Sequence, residues 1–121
     1  MKMSASVAVA SLPVVDDAPP AGAMTRGLPR PPSSQRLFST RADSKSYAVE
    51  VFGTDELSPM DSMRRHRLDL EAAGFQVAER EQTAARVMYT AVGADVALTI
   101  VAVSDDTGGC TTSVLASEVA R

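Results

Sequence analysis

The sequence has no tryptophan, one cysteine and one histidine, and aromatic residues make up only 4% of its 121 residues. The single cysteine, Cys110, excludes an internal disulfide and a cysteine-rich metal site. Hydrophobic residues still reach 45%, so Val, Leu, Met and Ala must supply the bulk of the core, which suits a thin, valine-rich sheet. Apolar runs fall short of a membrane-spanning helix, and we expect no transmembrane segment.

Charge is distributed unevenly along the chain. The net charge is -3, but residues 1–45 carry six basic side chains against three acidic ones, whereas residues 46–121 carry six against twelve. A nucleic-acid-binding domain needs a concentrated basic face. We therefore expect no nucleic-acid partner for the acidic body.

Residues 1–45 differ from the rest in composition. They contain all but one of the seven prolines, and their apolar residues do not repeat at helix or strand period. Such a segment buries too little apolar surface to offset its ordering entropy. The sequence predicts a disordered or extended, proline-rich basic arm over residues 1–45 and a small α+β domain over residues 46–121.

A helix is predicted from about Pro59 to Ala73. Ser58 is a typical N-cap, and Pro59 suits the first helical position. Gly74 supplies the left-handed residue that ends many helices, and Phe75 can then fold back on the last turn. The predicted inward stripe is Met60, Met63, Leu70 and Ala73, with His66 beside it.

Strand patterns surround this helix. YAVEVF precedes it, and FQVAE, ARVMYTAV, VALTIVAV and CTTSVLASEV follow, with short turns between the last three. The predicted order is strand-helix-strand-strand-strand-strand. We expect an α+β fold in which one helix packs across a mostly antiparallel sheet of about five strands, behind a disordered arm.

This element order resembles the cystatin-like fold. Cystatin inhibitors insert a Gln-Val-Val-Ala-Gly hairpin into papain-like proteases, and the resemblance implies a protease inhibitor. The corresponding stretch here is Gln82-Thr83-Ala84-Ala85-Arg86, which lacks the glycine. The Pro-Trp pair of the second inhibitory hairpin is absent as well, because the chain has no tryptophan.

The first half of the body also resembles a peptidoglycan-binding SPOR repeat. YAVEVFG, a helix ending in LEAAGF, and VMYTAVG follow that cadence. The repeat then needs a second helix, where this chain continues with VALTIVAV. The resemblance covers about half of the body and implies a peptidoglycan-binding module.

The residues that could perform chemistry are few. His66 beside an apolar stripe is interpreted as a partly buried structural residue, and Cys110 as a small residue at the edge of the core. The stretch Asp105–Gly109 is a turn rather than a calcium loop, because it offers only two carboxylates. We predict no catalytic residue, metal site or cofactor, although enzymatic activity is left open.

The arm leaves several interpretations open. Arg26, Leu28, Pro29 and Pro32 match the R-x-L-P-x-x-P pattern of peptides bound by Src-homology-3 domains. Residues 24–41 have four Arg and no acid, which resembles a mitochondrial transit segment, and residues 1–23 resemble a weak secretory signal. The remaining alternative is a flexible spacer, and the compartment is left unassigned.

The predicted strand VALTIVAV is apolar on both faces, and one helix covers only one of them. We therefore expect the second face, including Val101 and Val103, to pack against a second copy, a protein partner or the arm folded back through Leu37 and Phe38. The functional hypothesis is a small non-enzymatic protein-interaction module or accessory subunit that binds partners through Arg26, Leu28, Pro29, Pro32, Val101 and Val103. The alternative is a small-ligand-binding or enzymatic domain that uses the concave sheet face.

Overall fold

The computed structural model describes residues 27–41, 47–106 and 108–119, which form one helix and six strands. The strands are β1 Gln35–Arg41, β2 Tyr47–Thr54, β3 Gln76–Gln82, β4 Arg86–Val92, β5 Val96–Ser104 and β6 Cys110–Glu118; helix α1, Pro59–Ala72, lies between β2 and β3 in the chain. Every neighbouring pair is antiparallel, and the spatial order is β1-β2-β6-β5-β4-β3. The predicted α+β fold is confirmed, with six strands where about five were expected.

The additional strand is β1, which comes from the segment that the sequence assigned to the arm. It pairs with β2, and a bulge between Arg36 and Phe38 interrupts its register. The bulge removes the simple alternation that identifies a strand in a sequence. Strand β1 is stabilised by pairing with β2 and by a buried ion pair rather than by a regular row of apolar side chains. Its sequence therefore lacks the apolar alternation that would have predicted a strand. Residues 1–26 and 42–45 of the predicted arm lie outside the described part of the chain.

Helix α1 begins and ends where its local sequence predicts. The Ser58 hydroxyl accepts a hydrogen bond from the Asp61 backbone N–H at 3.2 Å, and Pro59 stands in the first turn. At the other end Gly74 has a φ of +98°, and the Phe75 N–H donates to the Leu70 carbonyl at 3.0 Å. These bonds form the expected Schellman ending, one residue earlier than the predicted end at Ala73.

The core lies between α1 and one face of the sheet. Helix residues Met63, His66 and Leu70 are buried, whereas Ala73 of the predicted stripe is exposed. The central strand β5 contributes Leu98 and Ile100, both nearly inaccessible. The other buried apolar residues of this cluster are Phe52, Val87, Tyr89, Ala91, Val96, Ala102, Cys110, Val114 and Ala116.

One helix cannot cover six strands, because a helix is about 10 Å across and strands repeat about every 4.8 Å. Helix α1 contacts β3, β4, β5 and β6. Residues 27–34, which we call the cover segment, pack on the same side. Leu28 lies against the core, Pro31 is buried, and the Arg30 guanidinium is 5.5 Å from the ring centre of Phe52 on β2. The cover segment therefore completes the layer that α1 begins.

Candidate functional site

A hydrogen-bonded chain of polar groups runs through the interior beneath α1. His66 is 1% exposed; its Nδ1 lies 2.6 Å from the Tyr89 hydroxyl, and its Nε2 lies 3.0 Å from the Pro29 carbonyl oxygen. A carbonyl oxygen can only accept, so Nε2 carries the proton and Nδ1 accepts from the Tyr89 hydroxyl in the neutral imidazole. This arrangement links the cover segment, α1 and β4 in one network.

The same burial holds both rings of this network in their neutral forms. Burial lowers the pKa of His66 below its ordinary value of 6.5, against the opposing effects of the Pro29 carbonyl and Asp69. Burial also raises the pKa of Tyr89 far above its ordinary range. Desolvation disfavours the charged form of each group, so at neutral pH the network contains neutral donors and acceptors only.

Cys110 lies near this network at the start of β6. Its Sγ is 3.9 Å from the Thr112 hydroxyl, and burial raises the pKa of the thiol. The thiolate is the nucleophilic form of cysteine, and this environment disfavours it. The Ser62 hydroxyl on α1 is also buried beside Cys110, and its contact with the thiol offsets part of the effect of burial on the pKa of Cys110.

A second polar element lies under the cover segment. Arg36 on β1 and Glu50 on β2 are 8% and 4% exposed, and their side chains approach to 3.2 Å. The Arg36 guanidinium lies 5.3 Å from the ring centre of Phe52, so Arg30 and Arg36 both contact this ring. Cation–π contacts of this kind gain strength where water is excluded.

Two surface cavities among the described residues have no lining residue from the buried network. The larger, about 650 Å³, is lined by Leu28, Phe75 and Glu118 among others, and the smaller, about 420 Å³, by Gln35, Gly53 and Asp105 among others. His66 and Tyr89 line neither cavity. Across the described ranges, no three His, Cys, Asp or Glu side chains are grouped so that they could hold a metal ion. In the same ranges, no helix is both long and apolar enough to cross a membrane.

The other side of the sheet has no helix over it in the described structure. Strands β2, β6 and β5 occupy three adjacent positions in the sheet, and their residues alternate between this side and the core. We call their outward residues the open face: Tyr47, Val49, Val51, Gly53, Thr111, Ser113, Leu115, Ser117, Ala97, Thr99, Val101 and Val103. All twelve are uncharged.

Several large apolar side chains of the open face are accessible. Tyr47 is 47% exposed, and Leu115 and Val103 are each 43% exposed. Phe38 pairs with Val51 from β1, which borders the open face, and it is 52% exposed. Single exposed apolar residues are ordinary on protein surfaces, whereas a contiguous apolar patch marks an interaction site.

Charged side chains border the open face on the β3–β4 side. Arg86 on β4 forms an ion pair with Glu81 on β3, and Arg80 on β3 donates a hydrogen bond of 3.3 Å to the Thr90 hydroxyl on β4. An uncharged centre with a charged border on one side resembles the anatomy of a protein–protein interface.

The site residues predicted from sequence fall into two separate groups. Leu28, Pro29 and Pro32 are partly buried in the cover segment, on the helix side of the sheet, whereas Val101 and Val103 lie on the open face. Arg26 lies outside the described residues.

Sequence reasoning did not identify two further exposed residues of the open face, Leu115 and Tyr47. The alternation of CTTSVLASE could have identified Leu115, because it places Leu115 on the face opposite Val114 and Ala116. Leu37 and Phe38 extend the sheet within β1 rather than folding back over β5. From β1 the Leu37 side chain lies against Gly53, so it covers one end of the open face.

Comparisons with known proteins add no relative: no protein-family model, no curated protein and no solved structure matches this chain.

Proposed function

We propose that this protein is a small interaction module that self-associates by packing the open face against the open face of a second copy. The observation that carries this proposal is the absence of charge from all twelve outward positions of β2, β6 and β5, combined with the exposure of Tyr47, Leu115 and Val103. Interface cores are depleted in charged residues in the same way.

The size of the patch supports a stable contact. Three central strands and the bordering β1 span about 19 Å at about 4.8 Å per strand, and eight residues span about 26 Å at about 3.3 Å per residue. The resulting flat footprint is about 500 Å². Its accessible surface is larger, because side chains project from it, and approaches the roughly 800 Å² per partner of a standard interface.

A second copy is the occupant that this face favours. A two-fold interface brings the same patch of both subunits together, so the patch must be complementary to itself. An uncharged sheet face meets that requirement without matching charges. The border formed by Arg80, Glu81 and Arg86 lies on the β3–β4 side, where it can remain solvated beside the contact.

The interior favours this proposal over ligand binding or catalysis. A ligand-binding or catalytic site needs convergent polar groups in an accessible pocket. Here the polar groups that converge, His66 and Tyr89, are buried and bonded to each other and to Pro29. They stabilise the fold and present no reactive group to solvent.

Sedimentation of the full chain tests the proposal. We expect the wild-type chain to form a concentration-dependent dimer and Val101→Lys to remain monomeric with an unchanged far-UV circular dichroism spectrum, because a lysine in the contact would be desolvated without a partner. Leu68→Lys is the matched control, since Leu68 is 66% exposed on α1, and it should dimerise like the wild type. The proposal is contradicted if the wild-type chain stays monomeric at a protein concentration about a hundredfold above a micromolar Kd.

A further inference from the structure

The cover segment contacts the body of the protein as a bound peptide would. Leu28 packs against the apolar core, and Pro31 is buried. The Pro29 carbonyl faces His66 Nε2 at 3.0 Å, and the Arg30 guanidinium lies over Phe52. Four consecutive residues thus each make a different contact with the fold.

The body supplies a groove that matches these four contacts. His66 projects from α1 with Nε2 directed at a backbone carbonyl, and its tautomer is fixed because Tyr89 occupies Nδ1. Phe52 projects from β2 and offers a ring face to a cation. These features remain in the fold whichever chain supplies the peptide, because α1, β2 and β4 hold them.

We propose that this groove between α1 and β2 is a peptide-binding site, which the chain's own Leu-Pro-Arg-Pro segment fills and which accepts the same type of extended peptide from another protein. Each part of the groove selects one feature of that peptide. The core selects leucine, His66 selects the carbonyl of the first proline, Phe52 selects arginine, and the buried position selects the second proline. Proline suits such a site because its restricted backbone loses little entropy on docking.

The cover segment then acts as a competitor within the same chain. A short tether gives an effective local concentration in the millimolar range, so a free peptide must displace a ligand that is always nearby. The apparent affinity for a free peptide falls in proportion to the fraction of molecules whose groove is empty. Weakening the cover segment should therefore strengthen binding of the free peptide.

The experiment uses the full-length protein and a fluorescein-labelled peptide with the sequence of residues 25–35, followed by fluorescence anisotropy. In the full-length Leu28→Asp variant, which weakens the internal ligand, we expect at least tenfold tighter binding than in the wild type. Leu68→Asp introduces the same substitution on the exposed surface of α1, and it should bind like the wild type. A peptide that carries Asp in place of its leucine should bind none of the three proteins.

A second variant and a measurement of folding control for the case in which Leu28→Asp fails to fold. Arg30→Glu removes the contact with Phe52 and leaves Leu28 in place, and it should also tighten peptide binding. If either variant loses its cooperative thermal transition, added wild-type peptide should restore it. The proposal is overturned if the folded variants bind the peptide no more tightly than the wild type. It is also overturned if an unfolded variant is not restored by the peptide. In either case the cover segment has only a structural role.

The two proposals fail independently, because the groove and the open face lie on opposite sides of the sheet. Val101→Lys combined with Leu28→Asp should bind the peptide as tightly as Leu28→Asp alone. A loss of peptide binding in the double variant contradicts a groove confined to the helix side.

Discussion

The imidazole of His66 on α1 and the phenol of Tyr89 on β4 meet edge to face, with ring centres 5.7 Å apart and planes at 83°. The Tyr89 hydroxyl and His66 Nδ1 are 2.6 Å apart, and both side chains are almost inaccessible to water. This pair joins the helix to β4 with a hydrogen bond inside a largely apolar layer. A buried polar group that loses its partner is costly, so both residues should matter to stability.

Tyr89→Phe removes the hydroxyl and leaves His66 Nδ1 without a donor in the interior. We expect the free energy of unfolding to fall by about 1–3 kcal/mol, measured by urea denaturation at pH 7.5. Tyr47→Phe is the matched control at a protein concentration where the chain is monomeric, because Tyr47 is 47% exposed on the open face and water solvates its hydroxyl. Equal stability of Tyr89→Phe and wild type would show that the hydroxyl contributes nothing.

The pH dependence of stability should report His66, the only histidine in the chain. Its pKa in the folded protein is lowered by burial from the ordinary 6.5. Below pH 6.5, His66 therefore binds a proton in the unfolded chain but stays neutral in the folded chain. The free energy of unfolding decreases as the pH is lowered from 6.5 to the folded-state pKa of His66. The slope contributed by this residue is at most about 1.4 kcal/mol per pH unit.

Comparison with His66→Gln isolates that effect. Urea denaturation of both proteins between pH 7.5 and pH 5 should give a smaller loss of stability for the variant, because glutamine does not titrate. Carboxylates titrate in both proteins and cancel in the difference. Parallel stability curves for the two proteins over this range would exclude His66 as the source.

Replacing Glu50 alone should cost more stability than replacing Arg36 and Glu50 together. Glu50→Leu alone leaves a buried guanidinium without its carboxylate, and we expect a loss of about 3 kcal/mol or more in the free energy of unfolding. Arg36→Met combined with Glu50→Leu removes both charges, and much of that loss should be recovered. Thermal and urea denaturation of the single and double variants would measure the coupling.

The exposed ion pair between Arg86 and Glu81 is the control for the buried pair of Arg36 and Glu50. Arg86→Met breaks the contact with Glu81 on the β3–β4 border, where water solvates both groups. We expect a change of no more than about 1 kcal/mol. A double variant at Arg36 and Glu50 no more stable than the single variant would contradict a direct coupling between them.

Gly74→Val should destabilise the helix ending through the backbone alone. Gly74 has a φ of +98°, and a Cβ built there meets no atom within 4 Å, so steric contact with neighbours contributes nothing. A branched residue in left-handed geometry costs on the order of 1–2 kcal/mol. Gly74→Asn should cost less, because asparagine tolerates this conformation. An unchanged melting temperature for Gly74→Val would contradict the role assigned to this glycine.

Local sequence was sufficient for the elements whose interactions are local. The limits of α1 follow from Ser58, Pro59 and Gly74, which act on backbone groups within a few residues. Apolar residues on both faces of VALTIVAV predicted a central strand, and β5 lies inside the sheet. The open face was therefore predictable, although Val101 and Val103 are only part of it.

Tertiary structure decided the positions of residues 27–41. Their contacts join residues far apart in the chain: Pro29 and His66 are 37 positions apart, and His66 in turn bonds Tyr89, which is 23 positions further along. Such contacts produce no periodic pattern of apolar residues in the sequence, because they depend on how much of the sheet α1 leaves uncovered. A proline-rich segment without apolar alternation is indicative of an arm when it is considered alone. It joins the fold here because the β1–β2 half of the sheet offers it an apolar surface, a histidine donor and an aromatic ring.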